Sequence, residues 1–313
     1  MQLAGNLARV LPIKSEMAFS WARQHGFSFP KRAEQPIETS DAAYPAQLRE
    51  IPSPPKSLWF TGRLPAEGQR LVAIVGARAA SRTGCDHAHA LAADLGRGGA
   101  AIVSGGAFGI DAAAHEGALA IGAPTFAVLG CGTDVVYPDR HNDLFERIAA
   151  SGGLLSEYPP GTKPRRGQFP ARNRIIAGLA QAVIVVEAAM RSGALITARL
   201  SRGLGRLLFA VPGSPGTDAY LRAGLALPAT TAADIERVVA GGLPAPAPPA
   251  PPVLGPMALV LDAIALGAES PASLCERLGV PLPSILAILA EAELEGFVRR
   301  AAGNTYEVIG RVC

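Results

Sequence analysis

Residues 71–78, LVAIVGAR, join five consecutive aliphatic residues to a glycine and an arginine. A continuous apolar run with β-branched residues is typical of a strand buried on both faces of a parallel sheet. Similar runs follow at AAIVS (100–104), TFAVL (125–129), GLLSE (153–157), AVIVVE (182–187) and RLLFAV (206–211). Between the first of them lie the helical patterns GCDHAHALAADLGRG (84–98) and DAAAHEGALAIG (111–122). This alternation predicts an α/β fold with an extended Rossmann-like, doubly wound, mostly parallel sheet.

The composition on either side of these runs divides the chain into four segments. We predict an N-terminal lead-in at 1–68, the Rossmann-like domain at 69–238, a Pro/Ala linker at 239–254 and a small winged-helix domain at 255–313. The linker follows from its prolines, which cannot continue a helix or a central strand. In the last segment we expect three helices, the second capped by Ser270 or Ser273, and a hairpin with Gly303 and Asn304 in its turn.

The composition also narrows the class of protein. No stretch approaches the length of a membrane span, and the first residues lack a secretory signal pattern, so a cytoplasmic protein with no membrane partner is expected. The four cysteines form no CxxC pair, so we expect buried or incidental thiols and no metal site.

Positive charge is concentrated in one segment. Residues 156–206 contain nine basic and two acidic residues, a net charge of +7, whereas the whole chain has a net charge of +3. The rest of the chain is therefore net acidic by 4. A local excess of this size indicates a polyanionic partner.

Glycine-bearing loops follow four of the predicted strands, where open α/β sheets bind ligands. Their glycines permit close backbone approach, and arginine and free N–H groups bind phosphate. We expect contacts from Gly76 and Arg78, from Ser104, Gly105 and Gly106, from the GCGT loop (130–133), and from Ser192, which would cap a helix, with Gly193. None of these loops is a dinucleotide fingerprint or a P-loop, so no cofactor is predicted.

The run FPARNRIIAGL (169–179) places two arginines around an asparagine before an apolar helix. Arg172, Asn173 and Arg174 would lie at a helix N-terminus and favour phosphate there. Phe169 would offer a stacking face to an unpaired base. The alternative is that Arg172 and Arg174 only pair with Glu157 or Glu187.

Catalytic candidates are few. Asp111 and His115 share a helix face, but such a pair is more often a helix-start acid and a hydrogen-bonded histidine. No nucleophile–base set or metal-ligand cluster is visible in the sequence. We therefore predict binding, with no catalytic residues and no metal.

Together these stretches resemble the DprA/Smf DNA-processing family. The matching segments are VAIVGAR (72–78), SGGAFGIDAAAH (104–115), AVLGCGTDVVYP (127–138), LLSEYPPGTKP (154–164), FPARNRIIAGL (169–179), EAAMRSGALITARL (187–200) and FAVPGSPG (209–216). The resemblance covers about residues 41–237. It implies a homodimer that binds single-stranded DNA and loads the RecA recombinase onto it during natural transformation, without nuclease activity. It also implies DNA contacts by Arg78, then by Arg172, Asn173 and Arg174, with Ser104, Gly105, Gly106, Ser192 and Gly193.

The chain departs from the family pattern in three places. Its first 40 residues do not match the helical N-terminal domain of the family, and Gly216-Thr217 with Asp218 follow GSP unusually closely, near the family's dimer surface. The presumed recognition helix, 283–295, carries Glu291, Glu293 and Glu295 but no Lys or Arg. Because a helix in a major groove needs donors and positive charge, this helix favours protein contact.

Two other classes of function are alternatives for this sequence, an enzyme on the same fold and a transcription factor. A phosphoribohydrolase-like nucleotide-processing enzyme on the same fold would need a PGGxGT run near a catalytic glutamate, and Glu187 has no such loop beside it. A transcription factor built on the winged helix is disfavoured by the acidic third helix.

Overall fold

The computed structural model describes residues 35–229, 231–239, 256–265, 267, 270–294 and 297–308. The first half of the predicted lead-in, almost all of the predicted linker and Glu295 lie outside these residues. Up to residue 239 the elements are β1 (Ile37–Glu38), α1 (Ala46–Arg49), β2 (Ser57–Gly62), β3 (Leu71–Val75), α2 (Arg82–Arg97), β4 (Ala101–Ser104), α3 (Ile110–Ala120), β5 (Thr125–Val128), α4 (Asn142–Ser151), β6 (Gly153–Ser156), α5 (Gln168–Leu179), β7 (Ala182–Val185), α6 (Ala194–Gly203), β8 (Leu207–Ala210), α7 (Pro215–Arg222), β9 (Leu227–Pro228) and α8 (Ala232–Val239).

All of these strands belong to one sheet, in the order β1-β2-β6-β5-β4-β3-β7-β8-β9. Strands β3 to β9 run parallel, whereas β1 and β2 form an antiparallel edge beside β6. The six predicted strands and the doubly wound, mostly parallel sheet are confirmed. The sheet begins earlier than expected, because residues 57–62 of the predicted lead-in pair with β6. The predicted segment boundaries themselves remain a prediction.

The order of the strands reverses at β3, which lies between β4 and β7. At such a reversal the loops beyond the carboxyl ends of the strands diverge and leave a crevice, where ligands of open α/β sheets bind. The chain reaches β7 from β6 through α5, which must pass β5, β4 and β3 on the way. Ile175, Ile176 and Leu179 of α5 are buried against the face of the sheet that the helix crosses.

Both faces of the central strands are covered because their side chains alternate between two apolar layers. Val72 and Ile74 pack towards α2, α3 and α8, and Leu71, Ala73 and Val75 pack towards α1, α5 and α6. Full burial of one such aliphatic side chain contributes about 1.5–3 kcal/mol. The continuous apolar run in the sequence is a consequence of this two-sided burial.

The predicted winged helix is confirmed by a separate apolar core. It contains α9 (Pro256–Ala265), α10 (Pro271–Leu278), α11 (Leu282–Leu294) and the hairpin of β10 (Val298–Ala301) and β11 (Thr305–Val308). Ser270 is the N-cap of α10, in a capping box with Ser273, and Pro271 occupies the first turn. Gly303 and Asn304 both have positive φ, of 74° and 59°, as a tight hairpin turn requires.

A buried ion pair joins this core to the sheet domain. Nη1 of Arg202, on α6, donates to Oδ1 of Asp262, on α9, at 2.5 Å, and the two side chains are only 15% and 8% exposed. Burial raises the pKa of Asp262, and Arg202 is the strongest influence that lowers it. Arg199 lowers the pKa of Asp262 as well, so this buried carboxyl group lies near two arginines of α6.

No single helix in the described ranges is long and apolar enough to cross a membrane. Only α10 and α11 taken together pass that test of length and composition, and they are bent by 117°.

Replacing Arg202 by Met is expected to lower the free energy of unfolding by up to about 3–5 kcal/mol, because the buried Asp262 carboxyl group would lose its ion-pair partner and keep only the weaker influence of Arg199. The double variant R202M/D262L should recover most of the loss. The measurement is the free energy of unfolding by urea. As a control, R237M removes the ion pair between Arg237 and Asp234, whose side chains are 65% and 40% exposed. This change should lower the free energy of unfolding by less than about 1 kcal/mol. A loss in the double variant equal to that in R202M would contradict a role for the pair.

Candidate functional site at the carboxyl edge of the sheet

The four loops predicted to bind ligand do follow β3, β4, β5 and β7 at the same edge. Residues from the loops after β3, β4 and β5 and from α5 border a pocket of about 330 Å³, counted out to its open mouth, whereas the loop after β7 does not line it. The pocket is lined by Arg78, Gly105, Gly106, Ala107, Phe108, Tyr137, Pro138, Phe169 and Arg172. Five of the predicted site residues are therefore brought together in one place.

Arg78 is exposed in the loop after β3, and its guanidinium lies over the Phe169 ring, 5.1 Å from the centroid. Among the described residues, no ion pair to Arg78 is formed. A cation that is held against an aromatic face and open to solvent is well placed to take a phosphate.

Glu187, at the end of β7, fixes the loop that carries Arg78. Its backbone oxygen accepts from the Ala77 N–H at 2.8 Å. Its carboxylate accepts from the Ser81 N–H at 3.1 Å and from the Ser81 hydroxyl at 2.6 Å. Ser81 in turn caps α2 by accepting from the Gly84 N–H. Sequence reasoning did not assign this positioning role, because the partners are 106 residues apart in the chain.

Gly76 and Gly109 let the β3 loop and the start of α3 meet. A Cβ on Gly76 would lie 2.5 Å from Cγ1 of Ile110, and a Cβ on Gly109 would lie 2.3 Å from the Ala77 oxygen. Gly109 also has a φ of +75°, which favours glycine. Close backbone packing is therefore enough to account for both glycines.

Ser104, predicted to supply a backbone or hydroxyl contact, is fully buried, and its hydroxyl donates to the Ile74 oxygen at 2.6 Å. The hydroxyl is therefore occupied inside the sheet, and a contact from the backbone of Ser104 stays a prediction. Gly105 and Gly106 are buried beside it and line the pocket.

Arg172 is 4% exposed and binds the ends of two strands. Its Nη1 donates to the Gly105 oxygen at 2.8 Å and also to the Val128 oxygen. Burial lowers the pKa of Arg172 to about 10, which leaves it charged near neutral pH, and the main opposing influence is Asp111. Burial likewise raises the pKa of Asp111, against the lowering influence of Arg172. Arg172 and the Asp111 carboxyl group are therefore buried near each other beneath the pocket, and each shifts the pKa of the other.

The prediction that Arg172 and Arg174 precede a helix is wrong, because α5 already begins at Gln168. Arg174 forms a bidentate pair with Glu157, at 2.7 Å and 2.8 Å, and its Nε donates to the Ser53 oxygen. The alternative considered for this arginine, pairing with Glu157, is therefore confirmed.

Asn173 links α5 to the loop after β7, since its Nδ2 donates to the Gly193 oxygen at 3.4 Å. Ser192 was expected to cap α6, but Gly193 occupies the N-cap position and Ser192 accepts from the Ala194 N–H at 3.3 Å. A Cβ on Gly193 would meet no atom within 4 Å, so the space beside this loop is open.

The GCGT loop after β5 is buried and does not face the mouth of the pocket. A Cβ on Gly132 would lie 2.7 Å from the Pro159 oxygen, and a Cβ on Gly130 would lie 2.9 Å from the Phe169 ring. These glycines therefore allow the neighbouring loop and Phe169 to pack closely.

His115 is a buried, hydrogen-bonded histidine, as expected for this residue. Its Nδ1 lies 2.7 Å from Oγ1 of Thr125, and burial lowers its pKa to about 3. It is therefore neutral at ordinary pH. Within the ranges that the structure describes, no group of three or more His, Cys, Asp or Glu side chains is arranged to hold a metal ion.

Two kinds of site residue escaped the sequence analysis. Phe108 and Tyr137 are 43% and 40% exposed at the pocket and were not singled out. The sequence did contain a signal for these two residues. Each is an aromatic residue in a loop after a strand, where the core does not require a large apolar side chain. Exposed cations near the N-terminus of α5 and in the loop after β7 were counted only as charge; they are Lys163, Arg165, Arg166 and Arg191.

A Rossmann-type sheet followed by a winged helix defines the class of fold as α/β, and the pocket at its switch point is lined by exposed arginine and aromatic side chains. The sequence profile of the family described as DNA recombination-mediator protein A matches residues 35–239, and that of the DprA winged helix domain matches residues 244–304. The chain belongs to the DprA/Smf family.

Relatives of known name agree with this assignment. The chain is 49% identical to Protein Smf of Synechocystis, in an alignment that covers 57% of this chain and 46% of that protein. It is 34% identical to Protein Smf of Escherichia coli, in an alignment that covers 93% of this chain and 84% of that protein. The matched region is thus about half of the Synechocystis relative. Among solved structures, DNA processing protein A of Streptococcus pneumoniae has a TM-score of 0.60 at 36% identity, covering 74% of this chain and 85% of that one. DNA processing protein A of Helicobacter pylori has a TM-score of 0.59 at 31% identity, covering 66% of this chain and 95% of that one.

Replacing Arg172 by Met is expected to lower the free energy of unfolding by about 3–5 kcal/mol, because Asp111 would remain buried without its compensating charge. The measurement is urea denaturation. The matched control R97M breaks an exposed pair with Asp94 and should cost less than about 1 kcal/mol. Equal losses in the two variants would contradict the structural role of Arg172.

The loss in R172M is also expected to depend on pH. An aspartate whose pKa is raised on folding binds protons as the chain folds, so its contribution to stability falls as the pH rises above the unfolded value of about 3.9. Without Arg172 the pKa of Asp111 rises further. The difference between R172M and the parent should therefore grow as the pH rises above about 4, as measured by denaturation at a series of pH values.

Proposed function

We propose that this protein binds single-stranded DNA along the carboxyl edge of its sheet, without catalysing a reaction on it. The observation that carries the proposal is the set of exposed cations in and beside the loops at this edge, of which Arg78 lines the aromatic pocket. Arg78, Arg165, Arg166 and Arg191 belong to it, and none of their side chains forms an ion pair with another described residue. Phosphates neutralise such cations, and unpaired bases stack on aromatic rings.

The relatives support this choice of polyanion. The H. pylori structure is described as showing a single-stranded DNA binding mode, and its chain shares 31% identity with this one. Because they are exposed in this structure, Arg78, Gly193 and the segment leading into α5, with Arg165 and Arg166, are proposed as the direct contacts. Gly76, Ser104, Gly105, Gly106, Arg172, Asn173, Arg174 and Ser192 act chiefly by shaping the edge.

The function in the cell follows from the family. We propose that the protein acts in the cytoplasm as a homodimer and loads the RecA recombinase onto single strands taken up during natural transformation. The family description, a recombination mediator, supports this assignment. A nucleotide-hydrolysing enzyme on this fold would depend on Glu187 as its catalytic residue. Here the Glu187 carboxylate accepts from the hydroxyl of Ser81, the N-cap of α2. This structural role of Glu187 favours a binding function over hydrolysis.

The winged helix is assigned to protein contact. In its described part α11 carries Glu291 and Glu293 and no basic residue, and Arg299 of the hairpin pairs with Glu307 at 2.9 Å. A helix that enters DNA needs donors and positive charge, which α11 does not offer.

Replacing Arg78 by Ala is expected to weaken binding of an oligothymidine by about tenfold, because one charge-assisted phosphate contact is lost. The slope of the logarithm of affinity against the logarithm of salt concentration should become shallower by about 0.7. Fluorescence anisotropy over several salt concentrations measures both. The control R97A removes an arginine at the opposite end of α2 and should bind like the parent. Parent-like affinity and slope in R78A would exclude this edge as the site.

RecA loading has its own test. The parent is expected to shorten the lag before RecA filaments form on a strand coated with single-strand-binding protein, and R78A should restore the lag. An unchanged lag with the parent protein would contradict loading while leaving DNA binding intact.

A further inference from the structure

The outer face of α11 presents a row of exposed apolar side chains, which we call the leucine ridge. Its members recur every four residues and are Leu282, Leu286, Ala290 and Leu294. Residues four apart are neighbours on a helix surface, so the four side chains form one continuous ridge. The three leucines are 48%, 44% and 90% exposed. The core of the winged helix does not require the ridge, because other residues of α11, such as Ile285 and Leu289, fill that core.

The charges of α11 are unevenly distributed along its length. Glu291 and Glu293 lie near its C-terminal end, whereas residues 282–290 contain no charged side chain. The free N–H groups of the first turn carry the positive end of the helix dipole, and the last turn carries the negative end. Carboxylates at a helix C-terminus are unfavourable for their own helix. They are therefore stabilised when the positive end of another helix lies beside them.

We propose that α11 binds the α11 of a second copy of this chain, with the two helices antiparallel across a twofold axis. The midpoint of the leucine ridge falls at residue 288. In this register Leu282 lies opposite Leu294 of the second copy, and Leu286 lies opposite its Ala290. A large side chain then meets a small one near the axis, so the ridge of each helix fits beside the ridge of the other.

The charges select the antiparallel arrangement. In it, Glu291 and Glu293 of each copy lie beside the uncharged N-terminal half of the other helix, whose dipole is favourable to them. A parallel pair would instead place the glutamates of the two copies side by side, where like charges repel. The apolar ridge and the complementary end are thus both present on one helix, which is the condition for contact between identical copies.

The same charges disfavour other occupants of the leucine ridge. Duplex DNA would meet Glu291 and Glu293 as charges of its own sign. A helix that lies on a membrane surface carries Lys or Arg on its polar face, and the described part of α11 carries neither. A second copy is therefore the occupant that the ridge and its charges fit together.

The inference rests on the protein contact that the proposed function assigns to the winged helix, and it names the partner. The winged helix is attached through Arg202, near the C-terminal end of α6, whereas Gly193 at the start of α6 lies at the carboxyl edge of the sheet. The contact is therefore separate from the proposed DNA site. Together with a homodimer formed by another surface, a second twofold contact joins dimers into an open row, which suits a long strand.

The test is the mass of the full chain, measured by sedimentation velocity over a range of concentrations. Leu286→Glu places a charge in the middle of the ridge. Leu294→Glu does so at a position that is 90% exposed, where a substitution does not disturb the core. Each variant should lower the mass of the largest species to half or less and weaken self-association by about tenfold or more, because a charge would be buried in an apolar contact.

Leu259→Glu is the matched control. Leu259 is 43% exposed, as Leu286 is, but it lies on α9, three residues before Asp262 and away from the ridge. The control variant should keep the mass of the parent. Equal masses for the parent, Leu286→Glu and Leu294→Glu at every concentration would overturn the pairing through α11. A dimer that persists in all of these proteins would leave the proposed homodimer standing on another surface.

The double variant E291K/E293K tests the orientation. Its lysines would lie beside the positive end of the other helix, so self-association should weaken by about two- to fivefold for each charge. An equal mixture of this variant with the parent should associate with intermediate strength. Stronger association in the mixture than in either protein alone would indicate parallel helices and overturn the proposed register.

Binding measurements on the same variants distinguish the other occupants. Leu286→Glu should bind an oligothymidine that accommodates one chain as the parent does, and weaker binding would show that the ridge belongs to the DNA site. Binding of the parent to duplex DNA or to phosphatidylcholine vesicles that is lost in Leu286→Glu, with no change in mass, would assign the ridge to that ligand. Either result overturns the pairing, and neither bears on the phosphate contact of Arg78.

Discussion

The edge of the sheet depends on one buried guanidinium. Arg172 projects from α5, the helix that crosses under β5, β4 and β3, and donates to the carbonyl oxygens of Gly105 and Val128. Those carbonyls lie at the ends of two adjacent strands. With Asp111 as the main influence that keeps its pKa high, this arginine holds the floor of the pocket and fixes where the loops above it leave the sheet. A buried arginine with well-placed acceptors is rigid, which suits a binding site.

Positioning and contact are thus divided between two sets of residues. Arg172, Glu187 and His141 are tied to backbone groups of the loops, and each is distant in sequence from the group it holds. Arg78, Phe108 and Tyr137 stand above them with exposed surfaces. The inner set satisfies the polar groups left at the strand ends, and the outer set is free to meet a ligand.

The sequence predicted more about the sheet than about the side chains at its edge. Two-sided burial demands continuous apolar strands, so the six runs and the glycine loops after them could be located directly. The same approach grouped Arg172 and Arg174 with Arg78, since residue type and local charge do not distinguish an exposed guanidinium from a buried one. Arg174 lies against Glu157, and this depends on the path of β6 relative to α5.

By itself, then, the sequence determined the fold class, the glycine-bearing loops at one edge of the sheet, the excess positive charge and the winged-helix pattern, because these depend on periodicity and composition. Only the tertiary structure decided which arginines are available, that Ser104 turns inward, and that Phe108 and Tyr137 come together at one pocket. Side-chain exposure at the sheet edge is set by contacts between segments far apart in the chain. No local pattern records those contacts, so the partners of each arginine appear only when the strands are assembled.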